Sequence, residues 1–326
     1  MANPQPWTPL HARLHQTLPR RKLLKPHARL LVAVSGGQDS LCLLKLLLDL
    51  QSKWSWVLAI AHCNHGWSSD VGIAEHVEQI ATAWGVPFYL KKATGIIKET
   101  EAAARKWRYE ALIEIASEQG FATIITGHTL SDRAETLLYN LIRGAGADGI
   151  AALTWQRSLT AEIELVRPLL NISRSETGEF CRQFQLPVWQ DTANENRKYA
   201  RNRIRTDLLP YLRTQFNPQV EITLAQTAEL LRAEGEYLEY AAGQLLSEAR
   251  SQNGLALNRI VLRRANLALQ RRAIRQFLRS VMNKAPNFEQ VEAVTQLINA
   301  PNRTRTSSFP SGAIAEVREN SILFFT

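Results

Sequence analysis

The run Leu31-Val-Ala-Val-Ser-Gly-Gly-Gln-Asp-Ser40 constrains this chain more than any other stretch. Its apolar, β-rich start, Leu30–Val34, stops at Ser35. Gly36, Gly37, Gln38, Asp39 and Ser40 follow, and then apolar residues recur at helical spacing (Leu41, Leu44, Leu48). A strand, a small-residue turn and a helix N-terminus in that order build a cradle for an anion. Glycines let backbone N–H groups approach phosphate oxygens, and the helix dipole adds positive potential at the same point. This is not a Walker loop, because no Lys-Ser/Thr follows the second glycine and an acid stands there instead. A carboxylate suits Mg²⁺ carried by pyrophosphate better than a γ-phosphate gripped by lysine, which makes Asp39 the candidate Mg²⁺ ligand.

The rest of the first half repeats the strand–helix theme. Apolar segments at Leu30–Val34, Trp56–His62, Pro87–Lys91, Ala122–Thr126 and Glu164–Arg167 enclose helical patterns at 40–51, 72–84, 101–118 and 131–143. That alternation predicts an α/β fold: a parallel sheet with helices on both faces, Rossmann-like, with ligands at the C-terminal strand ends. Polar residues stand at those ends: His62, Asn64, His65 and Gly66 after the second strand, and Gly127, His128 and Asp132 after the fourth. Phe216-Asn217-Pro218 ends a helix and predicts a boundary there, giving domains 1–216 and 217–326. The second part reads as mainly helical, at 221–250, 263–282 and 288–298. It closes in a hairpin, Gly312–Val317 and Ser321–Phe325, around Glu319-Asn320.

Charge narrows the partner. A chain of 326 residues with a formal net charge of +9 carries more positive charge than a small-molecule enzyme needs. The excess gathers at Arg197, Lys198, Arg201, Arg203, Arg205 and Arg213, and again at Arg263, Arg264, Arg271, Arg272, Arg275 and Arg279. In the second group Ile274, Phe277, Leu278 and Val281 form an apolar helix face and leave Arg272, Arg275 and Arg279 opposite. Contact with RNA or DNA and a merely solvated face are both open for each cluster. The three cysteines are odd in number and widely spaced, which argues against disulfides and zinc. No apolar run reaches membrane-spanning length and no apolar signal core precedes residue 29, so a cytoplasmic protein with no membrane contact is expected. The oligomeric state is open, a homodimer included.

With these pieces set out, a resemblance becomes specific. Ser35–Ser40 resembles the PP-loop of the N-type ATP pyrophosphatases. Further segments in order narrow the likeness to the tRNA(Ile)-lysidine synthetases. They are His62-Cys63-Asn64-His65-Gly66, Glu101-Ala-Ala-Ala-Arg105-Lys-Trp-Arg108-Tyr109, Gly127-His128-Thr129-Leu-Ser-Asp132-Arg-Ala-Glu135-Thr136 to Gly146, and Arg167-Pro168-Leu-Leu. Asp191, Asn194 and Arg201-Asn202-Arg203-Ile204-Arg205 extend it to about residue 210. Two positions depart from the family pattern: Ser131 replaces the first acid of an Asp-Asp pair, and Asn64 replaces an Asp.

The resemblance implies ATP-dependent ligation of L-lysine to the wobble cytidine in the CAU anticodon of an isoleucine tRNA. It proceeds through an adenylated tRNA and releases AMP and pyrophosphate, with ATP as co-substrate and Mg²⁺ as cofactor. It also implies roles: Asp39, Arg108, His128 and Asp132 in catalysis; Ser35, Gly36, Gly37, Gln38, Asp39, Ser40, His62, His65 and Gly127 at ATP; and Asp132 with Glu135 at lysine. Arg201, Arg205, Arg272, Arg275 and Arg279 are the candidate tRNA contacts. Residue chemistry is compatible with this. Attack on the α-phosphorus needs fixed donors and cations, and Asp132 and Glu135 lie three apart on one helix face. Plainer readings stay open: Arg105 and Arg108 pairing with Glu101 along their helix, and Asp132 as an ordinary first-turn acid. A tRNA thiolase is the alternative enzyme, although Cys42 and Cys181 read as packing residues and Cys63 stands alone.

Overall fold

The computed structural model describes residues 7–95, 97–146, 149, 153–189, 199–251, 254–282, 285–309 and 312–325. Asp191, Asn194, Arg197 and Lys198 fall outside them. Two compact units emerge, Met1–Glu229 and Leu230–Thr326.

The first unit is built on a sheet of order β3-β2-β1-β4-β6-β5. Its strands are β1 (Arg29–Ala33), β2 (Val57–Asn64), β3 (Phe88–Lys92), β4 (Thr123–Thr126), β5 (Gln156–Ser158) and β6 (Glu164–Val166). β1 runs parallel between β2 and β4, with Val32 opposite Ile60 on one side and Ile125 on the other. Alternate residues of this central strand feed two cores. Leu30 and Val32 pack with Leu41 and Leu44 of α2 (Gln38–Trp54) and Val77 of α3 (Ile73–Ala83), while Leu31 packs with Leu112 and Ile115 of α4 (Glu101–Gln119). A strand buried on both faces must be apolar at every position, which explains the unbroken Leu30–Val34 run.

Two elements depart from the expected pattern. β5 pairs antiparallel with β6 at the sheet edge, so the sheet is parallel only as far as β6. Its three residues are all exposed, and so short a segment has no period to read. Helix α1 (Pro9–Arg20) fills the basic N-terminal stretch: Thr8 caps it, Leu14 and Leu18 are fully buried, and His11 reaches Asp49 at 3.0 Å.

After α5 (Leu130–Ile142) and α6 (Arg174–Gln183), a helical stretch runs from α7 (Ala200–Arg203) through a π-helical turn, Ile204–Leu208, into α8 (Leu209–Gln215). Helix α9 (Val220–Ala249) follows, and the division between the units falls inside it at Glu229, later than the boundary expected at 216. The reason is contact. Val220 and Leu224 pack with Ala134, Ile204 and Leu209, Glu221 bonds to Ser131, and Glu229 bonds to Arg133 and Arg21. Proline at 218 ends one helix without ending the fold.

In the second unit, α10 (Arg259–Arg263), α11 (Leu267–Val281) and α12 (Phe288–Leu297) accompany a three-stranded sheet of order β7-β9-β8. The expected hairpin forms as β8 (Ile314–Arg318) and β9 (Ser321–Phe325), with β7 (Ala256–Asn258) added on the far edge of β9. Ile274, Phe277 and Leu278 of α11 are fully buried, as their spacing predicts. The opposite face is not a free basic stripe, and this corrects the expectation. Arg272 and Arg275 both bond to Glu239 of α9, and Arg271 pairs with Glu292 at 2.8 Å. Exposed Arg279 keeps the character read from the sequence. No helix among the described residues is long and apolar enough to cross a membrane.

Candidate active site

A cavity of about 350 Å³ opens where β1, β2 and β4 end, the point at which the strand order turns back on itself. It is lined from β1 by Ser35–Ser40 except Gly36, from β2 by His62 and His65, and from β4 by Gly127 and His128. Arg105, Arg108 and Tyr109 of α4, Asp132, Arg174 and Arg205 complete it.

The β1–α2 loop is self-braced. Ser40 donates to the Gly37 carbonyl at 2.8 Å and accepts from the Ser35 N–H at 3.3 Å. Gly36 sits at φ +82°, a region that costs any side chain strain. Gly127 is fixed by a close approach instead: a Cβ there would lie 2.9 Å from the Asp39 carbonyl oxygen. The tight crossing of the β4 loop over the start of α2 thus needs a glycine whatever the ligand. Gln38 ties α2 to α6 through the Arg174 carbonyl at 2.7 Å and the Thr177 hydroxyl at 3.1 Å. Its side chain is therefore a strut, which leaves only its backbone for a phosphate.

Asp39 faces the cavity with the Thr177 hydroxyl donating to it and Arg174 at 3.5 Å. Burial nevertheless pushes its carboxyl above the ordinary value, against the pull of Arg174 and Thr177. Such a carboxylate has unmet demand for positive charge, which suits a divalent cation shared with phosphate oxygens.

The two histidines at the C-terminal end of β2, His62 within the strand and His65 just past it, differ in use. His62 is buried, its Nδ1 donates to the Val34 carbonyl at 2.7 Å, and its Nε2 has no partner. Burial holds it below the usual histidine value, so Nε2 is a neutral acceptor on the cavity wall. His65 stacks on Trp67 (5.0 Å, 24°) and leans on Trp107, with Asp70 3.3 Å from Nδ1. Its Nε2 lies 3.4 Å from Arg108, so it props that arginine toward the cavity. Asn64, the departure from the family pattern, accepts from the Gly66 N–H at 2.8 Å and shapes the turn, while Asp70 supplies the carboxylate to His65.

His128 bonds through Nδ1 to Thr126 at 2.9 Å. Burial, opposed by Asp132 and reinforced by Arg167, Arg105 and Arg201, takes it down to about 3. Near neutral pH its imidazole is therefore uncharged and offers the cavity a hydrogen-bonding group. On the next helix the Asp132 carboxylate is divided. Oδ2 accepts from the Thr129 N–H and hydroxyl, each at 2.8 Å, which caps α5, while Oδ1 faces Arg205 at 3.5 Å. Asp132 is thus a first-turn acid of α5, as the plainer reading has it, and it also lines the cavity.

Glu135 does not line the cavity. It is 1% exposed and accepts from Arg205 Nε at 2.6 Å and Nη2 at 2.8 Å, with Arg201 at 3.4 Å. Burial lifts the Glu135 carboxyl despite Arg205, whereas Arg205, against burial, is lifted by Glu135. Two short charged hydrogen bonds decide the pair in favour of both charges. Glu135, which the resemblance places at lysine, thus stands behind the cavity wall against Arg205 and Arg201. Arg201 and Arg205, expected at tRNA phosphates, are turned inward to it instead. Arg201 also takes Glu101 at 3.1 Å, so Glu101 is not the partner of Arg105 or Arg108. The other departure, Ser131, donates to Glu221 and accepts from the Arg174 N–H at 3.1 Å.

Arg174 and Thr177 were not singled out from the sequence. The available signal was the capping box Ser173–Glu176, which starts α6 directly beside the β1–α2 loop. Cys63, near the cavity, has its thiol pushed up to about 12 by burial, so it carries no thiolate.

Residues 8–212 match a family described as a PP-loop domain, and residues 244–319 match one described as a TilS substrate binding domain. The chain is 57% identical to a tRNA(Ile)-lysidine synthase of Nostoc sp. strain PCC 7120, covering 97% of each chain. It is 53% identical to one from Synechocystis sp. strain PCC 6803, covering 95% of this chain and 96% of the other. A U34-tRNA thiolase from Methanococcus maripaludis shares the fold at a TM-score of 0.58 and 16% identity, over 68% of this chain and 77% of that one.

Proposed function

The chain belongs to the tRNA(Ile)-lysidine synthase family, and from that premise we propose that its cavity adenylates the wobble cytidine of an isoleucine tRNA and then joins L-lysine to it. One observation carries the reading. A lysine-free glycine loop, a carboxylate short of positive charge (Asp39) and the cations Arg105, Arg108 and Arg174 line a single cavity at the strand ends.

In the first step the cytosine carbonyl oxygen attacks the α-phosphorus of ATP, and the bond to the β-phosphate breaks. Backbone N–H groups of Gly36 and Gly37 receive the departing pyrophosphate at the start of α2. Asp39 would hold the Mg²⁺ that accompanies ATP, and the ion would supply positive charge for the leaving group. Arg108, propped by His65, and the neutral imidazole of His128 hold the α-phosphate oxygens as negative charge builds. The unpartnered Nε2 of His62 accepts an amino N–H from a nucleobase. In the second step the lysine ε-amine attacks the activated ring carbon, AMP leaves, and a proton is lost from nitrogen. Asp132 Oδ1, the carboxylate oxygen not used in capping, steers the cationic amino acid.

The reading is tested with pure protein, ATP, labelled lysine and bulk bacterial tRNA. Label in acid-insoluble tRNA together with AMP is expected; ADP as product, or no label in tRNA, sinks it. The thiolase reading draws no support from Cys63, whose thiol stays protonated.

A further inference from the structure

Three arginines crowd one tyrosine beside the cavity. Arg105 Nη2 and Arg167 Nη2 each lie 3.5 Å from the Tyr109 hydroxyl. The guanidinium of Arg157 stands 4.8 Å above the Tyr109 ring and that of Arg105 stands 5.4 Å from it. Arg167 is 1% exposed; its other bonds go to the Thr154 carbonyl and hydroxyl, and its Nε has no partner. Among the described residues, the partners of these guanidinia are a phenol, a carbonyl and a hydroxyl, while the nearby acid Glu101 is taken by Arg201.

Gathering like charges around a buried guanidinium is costly unless an anion arrives. Local rules broken without compensation mark functional sites. The field is felt locally: burial alone raises the Tyr109 hydroxyl, yet Arg105, Arg167 and Arg157 bring it below its ordinary value. The cluster also has a direction. Arg105 and Tyr109 line the cavity, whereas Arg157 is exposed on β5 at the sheet edge, so the cluster joins the cavity to solvent. The phosphates of ATP already have the Ser35–Ser40 cradle. An anion reaching both the cavity and its outer rim is a chain of phosphates.

We propose that Arg105 and Arg157, set around Tyr109 over the buried Arg167, bind a backbone phosphate of the RNA strand next to the nucleotide that enters the cavity. This deepens the proposed function and rests on it for the identity of that nucleotide. Arg105 and Arg157 contact the phosphate, Tyr109 stacks between them, and Arg167 is the buried source of field that positions the phenol.

Arg157 is the residue to change, because it is exposed on β5 and touches the cluster through the face of the Tyr109 ring. Filter binding of bulk tRNA and of an isoleucine tRNA transcript is measured across salt concentration for the full-length wild type, Arg157→Ala, Arg157→Glu and Arg157→Lys. The alanine variant should weaken both RNAs on the order of tenfold at low salt and flatten the log–log salt slope by about 0.7, one phosphate on a single strand. Glutamate should weaken binding further, and lysine should restore most of the slope. The dissociation constant for ATP alone, from equilibrium dialysis, is the companion readout. Unchanged RNA affinity and slope in Arg157→Ala overturn the proposal. A tenfold weaker ATP complex with RNA binding intact also overturns it and assigns the cluster to the nucleotide. Because bulk tRNA reports the slope independently, a wild type that binds RNA but fails to incorporate lysine refutes the proposed reaction and leaves the cluster to be judged on its own slope.

Discussion

Replacing Glu135 by Gln separates a strut from a ligand. The wild-type carboxylate accepts two bonds from Arg205, at 2.6 and 2.8 Å, and a longer one from Arg201, and it is shut off from solvent. Glutamine keeps one acceptor oxygen but no charge. One charged hydrogen bond, worth roughly 1.5–3 kcal/mol, is lost, and Arg205 is left with Asp132 at 3.5 Å as its remaining acid. Losing one partner of a fully buried pair costs about 3–5 kcal/mol. Arg205 retains some solvent contact (21% exposed), which places the loss near the bottom of that range, about 3 kcal/mol. For a unit of this size that lowers the melting temperature by roughly 6–12 °C. Scanning calorimetry measures it, and the Michaelis constant for lysine, taken well below the transition, should move less than about threefold. A Glu135→Met, Arg205→Met double variant should recover part of the lost stability, since removing both charges leaves none stranded. An unchanged melting temperature with a tenfold rise in the lysine constant would refute this assignment and return Glu135 to the lysine site.

Other expectations follow from the same geometry. Asp39→Asn should abolish AMP and pyrophosphate formation, a loss on the order of 3–5 kcal/mol in the transition state, with little change in melting temperature; near-wild-type turnover refutes the Mg²⁺ assignment. Asp132→Asn should impair discharge of adenylated tRNA by lysine more than its formation, as read by separate assays of the two half-reactions; equal losses would move Asp132 to the ATP side. Arg272→Ala with Arg275→Ala should lower the stability of the second unit, because Glu239 loses both cations; an unchanged unfolding midpoint with weakened tRNA binding would restore the free basic face. His128 has a folded value of about 3, below an unfolded value near 6.5, so the unfolded chain takes up its proton first and stability falls as pH drops through 6.5. Between pH 7.5 and 5.5 the wild type should lose on the order of 1.4 kcal/mol more than His128→Gln in urea unfolding, and parallel profiles would refute that burial.

Local chemistry was legible in the sequence wherever neighbours along the chain suffice. The Leu30–Val34 strand, the glycine turn and the helix expected at 40–51 follow from periodicity and small residues, although α2 begins two residues earlier at Gln38, and so does the buried face of α11. The cavity itself was legible because strand ends in a parallel sheet converge, which brings His62, His128 and Asp39 together from three separate segments. What charge alone could not reveal was direction. Arg201, Arg205, Arg272 and Arg275 read as an RNA surface because a sequence counts charges without showing which acids face them. Folding set them against Glu135 and Glu239.

The sequence by itself determined the α/β order, the anion cradle, the carboxylate at Asp39 and the family, because each is written in residues a few positions apart. Only the tertiary structure decided that Glu135 is buried against Arg205, that Gly127 is needed for the crossing over α2, and that Arg105, Arg157 and Arg167 share one tyrosine. Those outcomes depend on which distant side chains meet in a poorly solvated space. There the pairing of a charge, rather than its presence, sets the energy.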